Sequence, residues 1–438
     1  MTPRPSGMRG RLPVPQTWRP VGLDAAAIAG VVLFGIALAS GRPDVALLGV
    51  PALLAAVFSR TRPPSEPLSV AEEPSAPEAA GSIESMIRVT GGEIALVRAA
   101  AAGHRQVSFV AAVPAGGERR LRLRLASVRT GLQETAIADV RGHDGIWEND
   151  LRSVGGSGRL VLPSSLRLGR VPVPRRLRGL TGLRPSRRFG DGSELRDVHP
   201  FAPGDRLKRI DWRTTARRSP NLDTLYVRRS FADAEAVVML VVDSRDDVGP
   251  EVRSWRGFSE QRVDEPTSLD LARHAAASVA RALVETGDRV GLVDLGLDAR
   301  PLPPASGRRH LRRVLHGLAL ARPVGQPHPT VRPPQLPADA LVYLFSTVLD
   351  QAAVQLTRTW RSLGHPVILI DTLPDVRPVT EPHLALAWRV VRMERQVRLD
   401  ELAREGVPIV RWAGPARSDA AAKLDALARA AARQRDWR

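Results

Sequence analysis

The sequence predicts an α/β protein made of an N-terminal transmembrane hairpin, a small β-sandwich-like domain and a doubly wound parallel-sheet domain. Three observations carry this. Residues 25–39 (AAAIAGVVLFGIALA) and 45–58 (VALLGVPALLAAVF) are apolar runs separated only by the turn-forming SGRPD. Residues 82–175 hold short runs of period two cut by glycine-rich turns. Residues 234–415 alternate continuous apolar runs with amphipathic stretches closed by glycine, the pattern of parallel strands crossed by helices.

The elements follow in order. Residues 1–20 are a basic segment, and residues 21–59 the hairpin. Taken from Val21, the first apolar run is about long enough to cross a ~30 Å hydrocarbon core. The second is shorter and contains Pro51, so it needs flanking residues or a locally thinner bilayer. Arg4, Arg9, Arg11 and Arg19 precede the hairpin, Arg60 and Arg62 follow it, and its loop sets Arg42 beside Asp44. The positive-inside bias then puts both termini and everything after residue 60 in the cytoplasm of a multi-pass membrane protein. Ala37-Leu38-Ala39 also reads as a signal-peptide cleavage site, which the second apolar run argues against.

Residues 60–81 (beginning RTRPPSEP) form a Pro-rich linker. The β-rich domain spans 82–175. Its clearest strand is LRLRLASV (121–128), joined by VSFVAAV (107–113), TAIADV (135–140) and RLVLP (159–163). A basic signature segment, 176–233, comes next. The strands of the α/β domain (234–415) are expected at 234–244, 288–296, 340–347, 365–372 and 407–412, and its helices at 268–287, 310–321, 350–364 and 392–406. An Ala-rich helix, 416–438, presents Leu424 and Leu427 on one side.

Composition narrows the function. The chain of 438 residues has 43% hydrophobic and 25% charged residues, enough for ordered cores. It has no cysteine, which removes disulfides, thiolate nucleophiles and Cys-based zinc sites. The net charge of +18 is carried by arginine, Lys208 and Lys423 being the only lysines, and this Ala-, Arg- and Pro-rich usage is that of a GC-rich bacterial genome. Between Ser165 and Ser230 lie 17 Arg and Lys against 6 Asp and Glu. Such a block suits nucleic acid, anionic lipid or an acidic protein.

Within it, HPFAPGDRLKRIDWRTTARR (199–218) is the densest motif. Pro203-Gly204 sets a type II-like turn, with Asp205 placed to accept backbone N–H groups. Ile210 and Trp212 are expected on one side of an extended segment as an apolar anchor, with Asp211 on the other side paired to Arg213 or Arg217. The stretch then reads as a brace docking the β-domain linker on the α/β domain.

The run from Gly190 to Asp243 resembles the bacterial "domain of unknown function 58" family. The resemblance rests on Pro203-Gly204-Asp205 followed by Arg206, then Ile210-Asp211-Trp212 and Ala216-Arg217, with the later GDRVGLV (287–293). It covers most of residues 80–412. Where family members commonly carry an arginine and a tyrosine, this chain has His199 and Phe201. The resemblance implies a von Willebrand factor A-like α/β domain, no enzymatic activity, and a MoxR-type AAA+ ATPase as partner in a chaperone-like or envelope-assembly system. It also implies a Mg²⁺ adhesion site of the Asp-x-Ser-x-Ser kind. Here the loop reads Asp243-Ser244-Arg245-Asp246-Asp247, so an arginine stands among the ligand positions; Asp243, Asp247 and Thr267 are what remains of the site, which is read as degenerate.

Other classes fare worse. No nucleophile triad, His-rich metal spacing or phosphate loop is present, and His104, His143 and His199 stand alone. Arg175, Arg176, Arg178, Arg184, Arg187 and Arg188 suit phosphates, but aromatics are only 4% of the chain and no reading motif accompanies them. The sequence therefore reads as a non-catalytic membrane-anchored scaffold without a required cofactor. A membrane-linked nucleic-acid binder and a hydrolase with an unrecognised site are the alternatives.

Overall fold

The computed structural model describes residues 18–20, 23–60, 67–73, 81–101, 105–114, 116–144, 147–177, 184–256, 261–296, 301–323, 333–414 and 416–436. The chain divides into two units, one of residues 1–78, 82–126 and 134–159, the other of residues 79–81, 127–133 and 160–438. The first unit ends at residue 159.

In the first unit β1 (Trp18–Pro20) precedes α1 (Leu23–Ser40) and α2 (Pro43–Arg60). The two helices meet through small residues. A Cβ on Gly30 would lie 2.7 Å from Leu53 Cγ, and one on Gly49 would lie 3.0 Å from the Gly30 carbonyl. Ala37 and Ala56 are buried, whereas Leu38 is 80% and Leu47 70% exposed. Among the described residues no helix is long and apolar enough to cross a membrane. Each of these two has 18 residues, about 27 Å of rise. A helix pair stands where a hairpin was expected, but neither helix has the length of a full crossing.

The strands that follow are β2 (Ser69–Glu73), β3 (Ser82–Thr90), β4 (Ile94–Ala100), β5 (Val107–Ala112), β6 (Glu118–Ala126), β7 (Gly131–Glu134), β8 (Ile137–Asp144), β9 (Trp147–Asn149), β10 (Arg152–Gly155) and β11 (Gly158–Val161). Two antiparallel sheets form, β1-β9-β8-β4-β5 with β10 on β8, and β2-β3-β6. Their inner faces share one core: Ile87, Val89 and Leu121 from one sheet, Ala95, Val97, Ala138 and Val140 from the other. Part of the expected linker is therefore strand β2, which pairs with β3 residue for residue; residues 61–66 and 74–80 lie outside the described residues. The basic segment likewise supplies β1, while Arg4, Arg9, Arg11, Arg62 and His104 lie outside the described residues.

In the second unit β12 (Arg184–Pro200) pairs antiparallel with β13 (Tyr226–Ala234), and α3 (Trp212–Arg218) lies between them in sequence. Then come β14 (Val237–Val242), α4 (Ser268–Glu285), β15 (Arg289–Asp294), β16 (Leu302–Ala305), α5 (Arg308–Leu320), β17 (Leu341–Ser346), α6 (Ala352–Ser362), β18 (Val367–Asp371), α7 (Pro382–Arg404), β19 (Ile409–Arg411) and α8 (Ala416–Asp436). The sheet order is β16-β15-β14-β17-β18-β19. All neighbours are parallel except β16, an antiparallel edge strand that no apolar run announced.

Alternate residues of β14 serve opposite faces, as a strand buried on both sides requires. Val238, Leu240 and Val242 pack with Leu283 of α4, Leu318 of α5 and Leu424 of α8. Val237, Met239 and Val241 pack with Trp360 of α6 and Leu402 of α7. Leu424 is fully buried and Leu427 packs beside it, so α8 completes the first of these layers.

Candidate functional site

In a doubly wound sheet the ligand crevice opens beyond the carboxyl ends of the strands, where the strand order reverses. Here that point lies between β14 and β17. Asp243, Ser244 and Arg245 follow β14, Ser346 ends β17, and Asp350 follows it. The Arg245 guanidinium fills the crevice. Its Nε and Nη2 donate to the two oxygens of Asp243, each at 2.8 Å, and its Nη1 donates to Asp350 Oδ2 at 2.7 Å. Ser346 Oγ adds a 2.7 Å bond to Asp243 Oδ2. The Arg245 side chain is only 5% exposed. Burial opposes its charge, but the carboxylates of Asp243 and Asp350 outweigh burial and raise its pKa well above the ordinary arginine value.

A covalently attached cation thus sits between the carboxylates, and of the expected ligand set Asp247 and Thr267 meet each other while Asp243 is taken by Arg245. Asp247 also accepts the backbone N–H of Leu269 at 3.2 Å, at the start of α4. Thr267 is the N-cap of α4, in a capping box with Asp270. Among the described residues no three His, Asp or Glu side chains are placed to hold a metal ion. Asp243 does not cap the strand-to-helix turn either, because its two oxygens are taken by Arg245 and Ser346.

The surrounding acids are strained electrostatically. Burial raises the pKa of Asp246, with Asp243 and Asp350 adding to it. Burial likewise raises Asp247 and Asp294. Asp294 accepts from Ser244 Oγ, and from Gly296 N–H at 3.1 Å. Only glycine fits at 296, since a Cβ there would meet Ser244 Oγ at 2.2 Å. A neighbouring buried network joins Asp270 to residues 129–130. Thr130 donates its N–H and its hydroxyl to Asp270 Oδ1, each at 2.7 Å, and Arg129 Nε lies 2.6 Å from Oδ2. Arg273 donates to the Thr130 carbonyl at 2.9 Å. Sequence reasoning missed this network; the hydrophilic break after β6 is its one visible trace.

The signature stretch is placed elsewhere, at the end of the β12–β13 hairpin. Ala202 to Asp205 form the turn: Asp205 N–H reaches the Ala202 carbonyl at 3.0 Å, and Asp205 Oδ2 accepts Ala202 N–H at 2.9 Å. Gly204 has φ +97°, the conformation that a Pro-Gly turn requires. Asp211 is the N-cap of α3, accepting Thr214 N–H at 3.0 Å. That bond lowers its carboxyl pKa.

Three expectations are corrected here. Trp212 begins a helix and is 62% exposed, so it does not anchor on a sheet. Asp211 lies 3.7 Å from Arg228 rather than pairing with Arg213 or Arg217. The stretch folds back on its own hairpin, through the Asp211 N–H to the Tyr226 carbonyl (2.8 Å) and the Tyr226 N–H to Thr215 Oγ1 (2.9 Å), which is not the geometry of a brace. The surface it presents combines Leu207 (68% exposed) and Trp212 with Arg206, Lys208, Arg213, Ala216 and Arg217. Ile210, half-buried, bridges to Val227.

The other arginine cluster is partly spent on folding. Arg184 clamps Asp288 through Nε (2.8 Å) and Nη2 (2.7 Å), and Arg176 lies 3.7 Å from Asp339. Arg178 and the side chains of Arg187 and Arg188 lie outside the described residues. His143 lies in β8, and His199 sits 3.4 Å from Asp205. A cavity of about 1360 Å³ lies near the opposite end of the sheet, lined by Pro174, Pro334, Trp360, Pro366 and Pro408; Asp339 is the one carboxylate among its described lining. It offers no paired acids for hydrolysis.

With this geometry in view, the comparisons can be stated. Residues 197–374 match the family described as "Protein of unknown function DUF58". The matched stretch is less than half of the chain. It takes in the signature tip and the sheet from β14 to β18. The uncharacterized proteins Rv1480 of Mycobacterium tuberculosis (strain ATCC 25618 / H37Rv) and Mb1516 of Mycobacterium bovis are each 28% identical over 242 residues, 52% of this chain. The match spans 65% of the length of these relatives. The uncharacterized protein YeaD of Bacillus subtilis (strain 168) is 24% identical over 143 residues, 33% of this chain and 30% of its own. No solved structure matches the chain.

Proposed function

We propose that the chain is a non-catalytic, membrane-anchored scaffold whose DUF58 region docks other proteins, working with a MoxR-type AAA+ ATPase in bacterial envelope assembly or a chaperone-like process. The observation that carries the reading is the outward turn of the signature. A tryptophan 62% exposed and a leucine 68% exposed, set among arginines on a capped helix and a Pro-Gly turn, resemble a binding hot spot rather than a core. The sheet order, with its third strand antiparallel at the edge, supports an A-type domain. The guanidinium in the crevice supports a version of that domain that contacts partners without Mg²⁺. The apolar outer face of α1 and α2 supports insertion into a bilayer, and the net charge of +18 supports contact with its anionic surface.

The test is an affinity pull-down of the tagged full chain from gently solubilised membranes, with and without nuclease. The expected outcome is recovery of an AAA+ ATPase that survives nuclease and drops at least tenfold with Leu207→Ala/Trp212→Ala. Recovery of nucleic-acid-associated proteins alone, lost with nuclease, overturns the scaffold and makes the arginine-rich segment a nucleic-acid site. Both substituted side chains are exposed, so the folded protein keeps its melting temperature.

A further inference from the structure

Helix α7 buries one side and leaves the other apolar. Leu399 and Leu402 pack into the sheet layer, and Arg395 and Arg398 reach the backbone carbonyls of Thr347 and Leu349 at 2.7 and 2.9 Å. On the opposite side Leu386 is 64% exposed, Val390 49%, Met393 61% and Val397 54%. Their spacings of four, three and four residues make an unbroken stripe on a helix already fixed to the domain. Four large apolar side chains in a row are more than the scattered exposure of an ordinary surface.

We propose that this stripe is a self-association seam, in which α7 pairs in parallel with α7 of a second copy of the chain. Three features of the stripe select that occupant. The 4-3-4 spacing fits a partner helix, because alternation of three and four is what keeps a two-helix seam in register. In heptad terms Val390 and Val397 fall at the a positions, with Leu386 and Met393 at d. β-Branched residues at a with unbranched-at-Cβ residues at d favour two parallel strands. The flanking charges are complementary to themselves. Arg389 falls at g and Glu394 at the following e, both exposed, so in a parallel pair each arginine faces the partner's glutamate across the seam. Within one chain Glu394 already pairs with Arg398 at 3.1 Å, which orients it on that face.

The chain has no cysteine of its own, which makes the test direct. The full chain carrying Val390→Cys, held in its native membranes and treated with diamide, is expected to give a disulfide-linked dimer. Cysteine at the solvent-facing Arg392 should give at least tenfold less. Leu386→Glu/Met393→Glu is expected to abolish cross-linking through Val390→Cys and to halve the particle mass measured by light scattering in mild detergent. Arg389→Glu should weaken the dimer at least fivefold at low salt, and Arg389→Glu/Glu394→Arg should restore it. Retention of the dimer in Leu386→Glu/Met393→Glu overturns the seam. So does flotation of the protein on phosphatidylglycerol vesicles that is lost in this variant with the mass unchanged, since the stripe would then lie on a membrane. The signature variants leave cross-linking unaffected, so this result and the pull-down fail separately.

Discussion

At the scale of single residues, Arg245 carries the largest energetic consequence. It is held by two carboxylates and is 5% exposed on its side chain. Arg245→Ala leaves Asp243, 8% exposed, without its partner. The expected loss is about 3–5 kcal/mol in urea unfolding, the range for breaking a buried ion pair from one side. Arg245→Ala/Asp243→Asn should recover part of it, because the buried Asp243 charge is then removed and only the more exposed Asp350 is left without its cation. Asp246 acts with the opposite sign. Its folded pKa is raised by burial, so the folded state holds this proton more tightly than the unfolded chain does. Stability is therefore lost as pH rises from the ordinary carboxylate range through the raised value, and the cost is complete above it. Asp246→Asn should melt higher than the wild type at pH 7, with the difference vanishing below about pH 4. A calorimetric pH series reads both effects. The sequence displayed Arg245 among the ligand positions. That it folds inward onto Asp243 follows from Asp350, 105 residues further on, which no local pattern connects to it.

At the scale of elements, what was legible follows from periodicity. LRLRLASV alternates with period two and lies largely in β6, whose apolar positions share the core-facing side with those of β3. Within AEAVVMLVVDS the run Val237–Val242 is apolar at every position and becomes β14, the central strand with both faces covered. Elements without an apolar period were lost. β16 reads LPPA, and its strand character comes from pairing with β15 at Val290 and Leu292. α7 is a different case: it begins at Pro382, ten residues before the helix expected at 392, although Leu386, Val390, Met393 and Val397 carry a helical spacing across that boundary. α3 could have been recognised. Asp211 stands before WRTTARR in the N-cap position, and its carboxylate takes the Thr214 N–H. Reading Ile210 and Trp212 as alternating strand residues overrode that cap, and the orientation of Trp212 was inverted with it.

At the scale of the whole molecule, α1 and α2 pack with small residues inside and large apolar residues outside, the reverse of a soluble hairpin. Water would charge heavily for that face, roughly 25 cal/mol for each Å² of apolar surface left exposed. In lipid the same face is neutral, and close contact between helices comes from glycine, as at Gly30 and Gly49. A length of 18 residues is short for a full crossing, but a thinned bilayer or a shallow insertion accommodates it. The full chain should therefore stay in the membrane pellet after alkaline carbonate extraction. Val31→Arg/Leu48→Arg places guanidinium groups on the outer face, where Val31 is 62% and Leu48 69% exposed. Near a helix centre each costs about 2.5–3.5 kcal/mol on insertion scales. The substituted chain should move to the supernatant while its second unit keeps its melting transition. If carbonate releases the unsubstituted chain as well, the apolar face is covered by protein, and the anchoring part of the proposed function falls while the docking tip stands.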